Sequence, residues 1–335
     1  MIRIRNRLLV GDAGAGLRQL PPRSVDMLLT SPPYFRLRRY RGAGNELGVE
    51  AAVDEWVERI LAVSREVARV LTPTGTLWLN LGDSYSAAEE QGAPRKSLLL
   101  GPERVALQLI ASGWVLRNKI VWTKPNPMPT SVRDRLACTW EYVYLFARSP
   151  DYFFDLDAIR EPHRTAERPS PTGTAPPDGV ERWRGPNTAS RLGLRALKAA
   201  GHVGHPLGKN PGDTWVIASS HYRSSHRATF PVGLARRAIE AGCPEAVCER
   251  CQTPWRRRVV RTLGGGVVRS RLGPCCECGA PGRRGLVLDP FIGSGTTAVA
   301  AEALGRDWLG IELNAAYAAE ADARIQSARA GPRAA

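Results

Sequence analysis

Apolar residues recur along this chain in two rhythms. Val53, Trp56, Val57, Ile60, Val63, Val67 and Val70 are spaced by threes and fours, which predicts an amphipathic helix over 53–71. Short, mostly apolar runs closed by turn residues predict strands at 7–12, 25–30, 76–81, 115–123, 141–147, 286–289 and 308–313. Further helical stretches fall at 15–20, 102–112, 231–239 and 296–304. Helix, strand and loop alternate as a doubly wound α/β sheet requires. No internal repeat is found.

Composition changes after Arg160. Residues 161–212 cluster Pro, Gly, Ser, Thr and Arg, with Arg164, Arg168, Arg182, Arg184, Arg191 and Arg195 among them. Such a segment reads either as a disordered surface insertion or as a region that reads a target. The 335 residues carry 47 Lys and Arg against 32 Asp and Glu, a net charge of +15 that points to a polyanionic partner. Arginine supplies nearly all of it and suits bidentate contacts to phosphate and guanine. The first residues hold charges without a signal-length apolar core, and no run approaches membrane-spanning length. A soluble, cytoplasmic protein without membrane contact is expected, where cysteines serve metals more often than disulfides.

Two motifs carry chemistry. Thr30-Ser31-Pro32-Pro33-Tyr34 ends the strand at 25–30. Prolines donate no N–H, so the loop offers acceptors (the Ser31 hydroxyl and the carbonyls of Ser31, Pro32 and Pro33) beside an aromatic face. A flipped-out base with an exocyclic amine needs two acceptors and a ring to stack on. The second motif, Asp289-Pro290-Phe291-Ile292-Gly293-Ser294-Gly295-Thr296-Thr297, links a strand to a helix. The next strand ends in Glu312, where an acid in this architecture holds ribose hydroxyls. The dinucleotide spacing is absent, which suits an adenosine ligand without a pyrophosphate. The strand at 286–289 is expected beside that at 25–30, so that both motifs share one crevice.

These motifs, in this order, resemble the β-arrangement amino-group DNA methyltransferases, which make N4-methylcytosine or N6-methyladenine. Further matching segments are 75–83, 121–129, 140–146, 212–215 and 226–231, and the resemblance covers roughly residues 7–150 and 209–325. It implies a Rossmann-like S-adenosylmethionine-dependent fold. Residues 1–160 would form the catalytic half, 161–212 a target-recognition insertion, 213–247 a helical link, and 286–335 the cofactor half. The strands at 115–123 and 141–147 would be an antiparallel edge. Ser31, Pro32, Pro33 and Tyr34 are the implied catalytic residues. Asp289, Phe291, Gly293, Gly295 and Thr296 would surround the cofactor with Glu312 on its ribose. The resemblance sets Asp12 against the adenine ring, although a turn acid after a strand reads equally well. Double-stranded DNA is the implied partner, with nucleoid association when bound. A cognate restriction endonuclease is a candidate partner, although no segment reads as a nuclease.

Cys248-x2-Cys251 and, 23 residues on, Cys275-x2-Cys278 form two knuckles that suggest a closed, structural Zn2+ site in a zinc-ribbon-like insertion at 248–285. Cys276 is an alternative to either neighbour, and Cys243 lacks a knuckle partner. Arg256, Arg257 and Arg258 in the insertion, and Arg36, Arg38 and Arg39 after the proline loop, are candidate DNA contacts along with Arg182 and Arg184. By the same resemblance, Ser at position 31 implies N4-cytosine as the target, since in that family Ser goes more often with cytosine and Asp with adenine. N6-adenine, an RNA or protein substrate, and a non-catalytic DNA-binding module are the competing readings.

Overall fold

The computed structural model describes residues 5–38, 46–163, 205, 207–219, 230–261 and 267–330. The chain divides into two compact units. One comprises residues 1–155, 212–256 and 272–335, and the other 156–211 and 257–271.

The strands are β1 (Arg7–Val10), β2 (Val25–Thr30), β3 (Leu71–Leu81), β4 (Val115–Thr123), β5 (Trp140–Ala147), β6 (Thr214–Val216), β7 (Ala246–Cys248), β8 (Val259–Arg261), β9 (Val267–Arg269), β10 (Gly282–Arg284), β11 (Leu286–Asp289) and β12 (Asp307–Glu312). The helices are α1 (Ala13–Arg18), α2 (Val53–Val70), α3 (Gly101–Ala111), α4 (Val232–Gly242), α5 (Thr296–Ala303) and α6 (Ala315–Arg329). Eight strands make one sheet in the order β1-β12-β11-β2-β3-β5-β4-β6.

The first five strands of that order run parallel, with Val287 beside Met27 and Leu288 beside Leu28. Every residue of β2 and β11 is buried, which is why both read as continuous apolar runs rather than alternating ones. The one acid inside β2, Asp26, is met by Arg283 of β10 through two bonds of 2.5 and 2.9 Å and by the Leu286 amide at 2.8 Å. That partnering satisfies a carboxylate that the core could not otherwise hold. α2 packs its apolar stripe (Val53, Trp56, Val57, Ile60, Leu61, Val67 and Val70) into the core.

The expected antiparallel strands are present, but they are not the edge. β5 lies between β3 and β4, and β6 extends the sheet beyond β4. A three-residue strand carries too little pattern to be read from sequence. α6 was missed for another reason. Its alanine-rich sequence has almost no amphipathic contrast. Alanine propensity supports it, Asn314 caps it by accepting from the amides of Ala316 and Tyr317, and Ala318, Ala321 and Ile325 are buried.

In the second unit β8 and β9 pair antiparallel, and Glu161 bridges to Lys209 with an ion pair of 3.1 Å. Most of the expected recognition insertion, including Arg182 and Arg184, lies outside the described residues, as do Arg39 and residues 226–229. Among the described residues no helix is long and apolar enough to cross a membrane.

Candidate active site

β2 and β11 end side by side, and their loops open into one cavity of about 620 Å3. Ser31, Pro32, Pro33 and Tyr34 line it together with Phe291, Gly293, Thr296 and Glu312. Two motifs far apart in the chain thus become neighbours, as the expected strand order required. A buried latch joins them. Asp289, at the end of β11, accepts from Thr30 Oγ1 of β2 at 2.6 Å, from Thr297 Oγ1 at 2.6 Å and from the Phe291 amide at 3.1 Å. Burial pushes its carboxyl up to about 6, and the three hydrogen bonds offset only part of that rise.

The proline loop is held from three directions. Trp56 of α2 donates its indole N–H to the Pro33 carbonyl at 2.9 Å, which occupies one lone pair of an acceptor counted from sequence. A Cβ on Gly48, whose φ is +91°, would meet the Tyr34 carbonyl at 2.8 Å. A Cβ on Gly82 would meet the Tyr34 ring at 2.6 Å. Glycine is therefore required at both positions for the loop to close and the ring to seat. Ser31 Oγ donates to the Tyr34 hydroxyl at 3.1 Å. That hydroxyl lies 2.7 Å from Glu141 Oε2 and 3.1 Å from Asn80 Oδ1, and Lys124 Nζ is paired with the other Glu141 oxygen. Asn80, Lys124 and Glu141 also line the cavity. They come from β3, the end of β4, and β5. Sequence reasoning matched their segments and gave these three residues no role. The available signal was a polar or charged residue within an otherwise apolar run.

At the glycine loop Glu312, at the end of β12, accepts from the Gly293 amide at 3.0 Å and from the Asn314 amide at 2.9 Å. Burial raises its carboxyl above the usual range, with those amides working against the rise. Gly293 has φ +50° and Gly295 φ +80°. Asp289 and Gly295 do not line the cavity. Asp289 is the latch described above. Gly295 caps α5, where an added Cβ would crowd Ala321 and Ile325 at 3.3 Å. Arg324 of α6 clamps the same loop from behind, donating to the Ser294 carbonyl and hydroxyl and to Thr296 Oγ1 at 2.9–3.0 Å. Asp12 caps α1 by accepting from the Ala15 amide at 2.9 Å, and it also lines the cavity.

The thiols of Cys248, Cys251, Cys276 and Cys278 lie within 4.8 Å of one another. Cys275, expected in the set, is exposed and stands outside it; Cys276 takes its place. In a tight turn the two adjacent cysteines cannot both face the first knuckle, and their spacing does not say which one does. Hydrogen bonds from Thr253 hold the Cys251 thiol down to about 6, and the neighbouring Cys251 pushes Cys278 up to about 12. One thiolate opposes charging of the next until a cation joins them. The donor set is thus of the kind that holds a tetrahedral zinc.

Arg38 lines the cavity mouth, and Arg36 donates to the Glu50 carbonyl at 2.9 Å. Arg256 donates to the Phe154 carbonyl and stacks over Phe153; Arg257 donates to the Ser270 carbonyl. The Arg258 side chain is exposed.

A sequence model of the N6/N4 family, described as DNA methylase, matches residues 25–323. The chain is 30% identical to the Type II methyltransferase M.SmaI of Serratia marcescens, over 95% of this chain and 90% of that one. It is 32% identical to M.XycI of Xanthomonas campestris pv. cyanopsidis, over 95% and 87%. Among solved structures, the PvuII DNA methyltransferase (cytosine-N4-specific) superposes with a TM-score of 0.57 at 18% identity, covering 97% of this chain and 91% of that one. A putative DNA modification methylase from Thermus thermophilus, complexed with S-adenosyl-L-methionine, gives 0.55 at 24% identity, covering 97% and 95%. At these identities the likeness is one of fold.

Proposed function

Because this chain belongs to the N6/N4 DNA methylase family, we propose that it transfers a methyl group from S-adenosyl-L-methionine to the exocyclic N4 amine of a cytosine flipped out of duplex DNA. The observation that carries this reading is the single cavity into which both the Ser31 loop and the Gly293 loop open. Glu312, Phe291, Gly293 and Thr296 form the wall that fits the cofactor. A carboxylate there meets ribose hydroxyls, and the positive-φ glycine lets backbone approach the ligand. When bound, the cofactor supplies an electrophilic methyl.

The chain's own residues prepare the amine. Its lone pair is delocalised into the ring and is a poor nucleophile. Acceptors on both N–H bonds favour a tetrahedral nitrogen and aim its lone pair across the cavity. Ser31 Oγ and the Pro32 carbonyl are assigned to this work, while the Pro33 carbonyl anchors the loop to Trp56. Tyr34 offers its ring as the shelf for the base. Ser rather than Asp at position 31 supports cytosine over adenine.

The four-cysteine group supports a structural zinc held by Cys248, Cys251, Cys276 and Cys278. Arg38 at the cavity mouth and exposed Arg258 are assigned to DNA phosphates, in keeping with the net charge of +15. A restriction endonuclease sharing the recognition sequence is the functional partner this reading implies.

Nucleoside mass spectrometry of DNA from an expressing host tests the reading. N4-methylcytosine is expected. N6-methyladenine in its place would transfer the same site to the other base, and DNA with neither mark would overturn the proposal.

A further inference from the structure

The amine clamp needs Ser31 to present lone pairs, yet a serine hydroxyl can equally turn its hydrogen toward the cavity. Something must decide between these states. The answer lies in the polar group behind Tyr34. Glu141 stands on β5 beside Trp122 of β4, with Lys124 just past the end of β4. Lys124 Nζ pairs with Glu141 Oε1 and also lies 4.7 Å from the Trp122 ring centroid. A paired carboxylate can only accept hydrogen bonds. The Tyr34 hydroxyl, 2.7 Å from Glu141 Oε2, must therefore donate toward it. Asn80 reinforces this direction. Its Nδ2 donates to Glu141 Oε2 and to the Tyr142 carbonyl, which leaves Oδ1, a second acceptor, facing the phenol. With its proton committed, the Tyr34 oxygen accepts from Ser31 Oγ at 3.1 Å. The Ser31 hydrogen then points away from the substrate, and its lone pairs are left to the amine.

We propose that Glu141, anchored by Lys124, is a positioning residue that sets the hydrogen-bond direction at Ser31 through the Tyr34 hydroxyl. This deepens the function proposed above and rests on it. In this role Glu141 acts through the Tyr34 hydroxyl on Ser31, the group assigned to the amine. Tyr34 accordingly has two separable parts: a ring that stacks on the base and a hydroxyl that relays polarity.

The test is a pair of double-mutant cycles read by single-turnover methyl transfer to duplex DNA. Glu141→Gln keeps the shape but allows an amide N–H to face Tyr34, so the relay can reverse. The single variant should slow transfer by ~10- to 100-fold, less than the ~100- to 1000-fold of deleting a transition-state hydrogen bond outright, because the relay can reverse but Ser31 remains. Cofactor affinity and the KM for DNA should stay at the wild-type value. In a Tyr34→Phe background, or in a Ser31→Ala background, Glu141→Gln should cost less than about threefold, because the relay is already cut. A full additional loss in both backgrounds would mean that Glu141 acts by another route and would overturn the inference, as would an unaffected single variant. Should Glu141→Gln fail to fold, Tyr34→Phe decides: kcat must fall although the ring remains, and wild-type turnover overturns the inference. A wild-type protein that methylates no duplex overturns the proposed function and this inference together. An active wild type with an indifferent Glu141 overturns the inference alone.

Discussion

Asp289→Asn isolates the latch between the two halves of the site. The wild-type carboxyl is wholly buried and is pushed from 3.8 up to about 6. A displacement of about 2 in pKa is worth about 3 kcal/mol between the two protonation states. Below about pH 4 the group is protonated in the folded and the unfolded chain alike, and its contribution to stability is complete. Between pH 4 and 6 the unfolded chain gives up its proton while the folded chain holds on to its own, so stability falls as pH rises. Above pH 6 the contribution is gone. Asparagine does not titrate. It keeps one acceptor for a threonine hydroxyl, and the other hydroxyl can turn to accept from its amide. Other carboxylates cancel in the difference between the two proteins. The stability of Asp289→Asn relative to wild type should therefore rise by about 2 kcal/mol from about pH 4.5 to about pH 7.5, the remainder of the ~3 kcal/mol falling below about pH 4.5. Denaturant melts at several pH values measure this. Hydrogen exchange of the β2 and β11 amides locates it, which matters in a chain with two compact units. A difference that is flat, or that falls with pH, would refute the reasoning. It would mean that Thr30, Thr297 and the Phe291 amide stabilise the charged form more than burial destabilises it.

Ser31→Ala should slow single-turnover methyl transfer by ~10- to 1000-fold while calorimetric cofactor binding barely changes; unchanged transfer would remove Ser31 from the clamp. Gly293→Val places a branched side chain at φ +50° on the cavity wall and should abolish cofactor binding in a protein that still folds, as judged by circular dichroism. Metal analysis should find about one zinc per chain, lost in Cys276→Ser and kept in Cys275→Ser. The reverse pattern would restore the Cys275 assignment, and a native protein free of metal would end it.

The sequence by itself determined the elements with strong local pattern. β2 and β11 were readable to the residue, because fully buried strands are near-continuous apolar runs with turn residues at their ends. α2 was legible because its stripe has a clear period. The two loops that line the cavity were also legible, since Pro-Pro and Gly-x-Gly state their backbone demands locally. Elements without such a signal stayed hidden, as the three-residue strands and the alanine-rich α6 did.

Only the tertiary structure decided which side chains act together. The sheet brings Asn80, Lys124 and Glu141 from three strands onto one tyrosine hydroxyl, and no spacing along the chain encodes that meeting. The same holds for Asp289, read as a cofactor residue and found as a latch to Thr30, and for the Pro33 carbonyl, an apparent acceptor already held by Trp56. The choice of Cys276 over Cys275 was likewise a matter of which way a turn faces. The physical reason is common to all four. Residue type and local pattern fix what a group can donate, accept or bury. Its partner is set by long-range packing, and the partner determines whether that capacity reaches a ligand or is spent inside the fold.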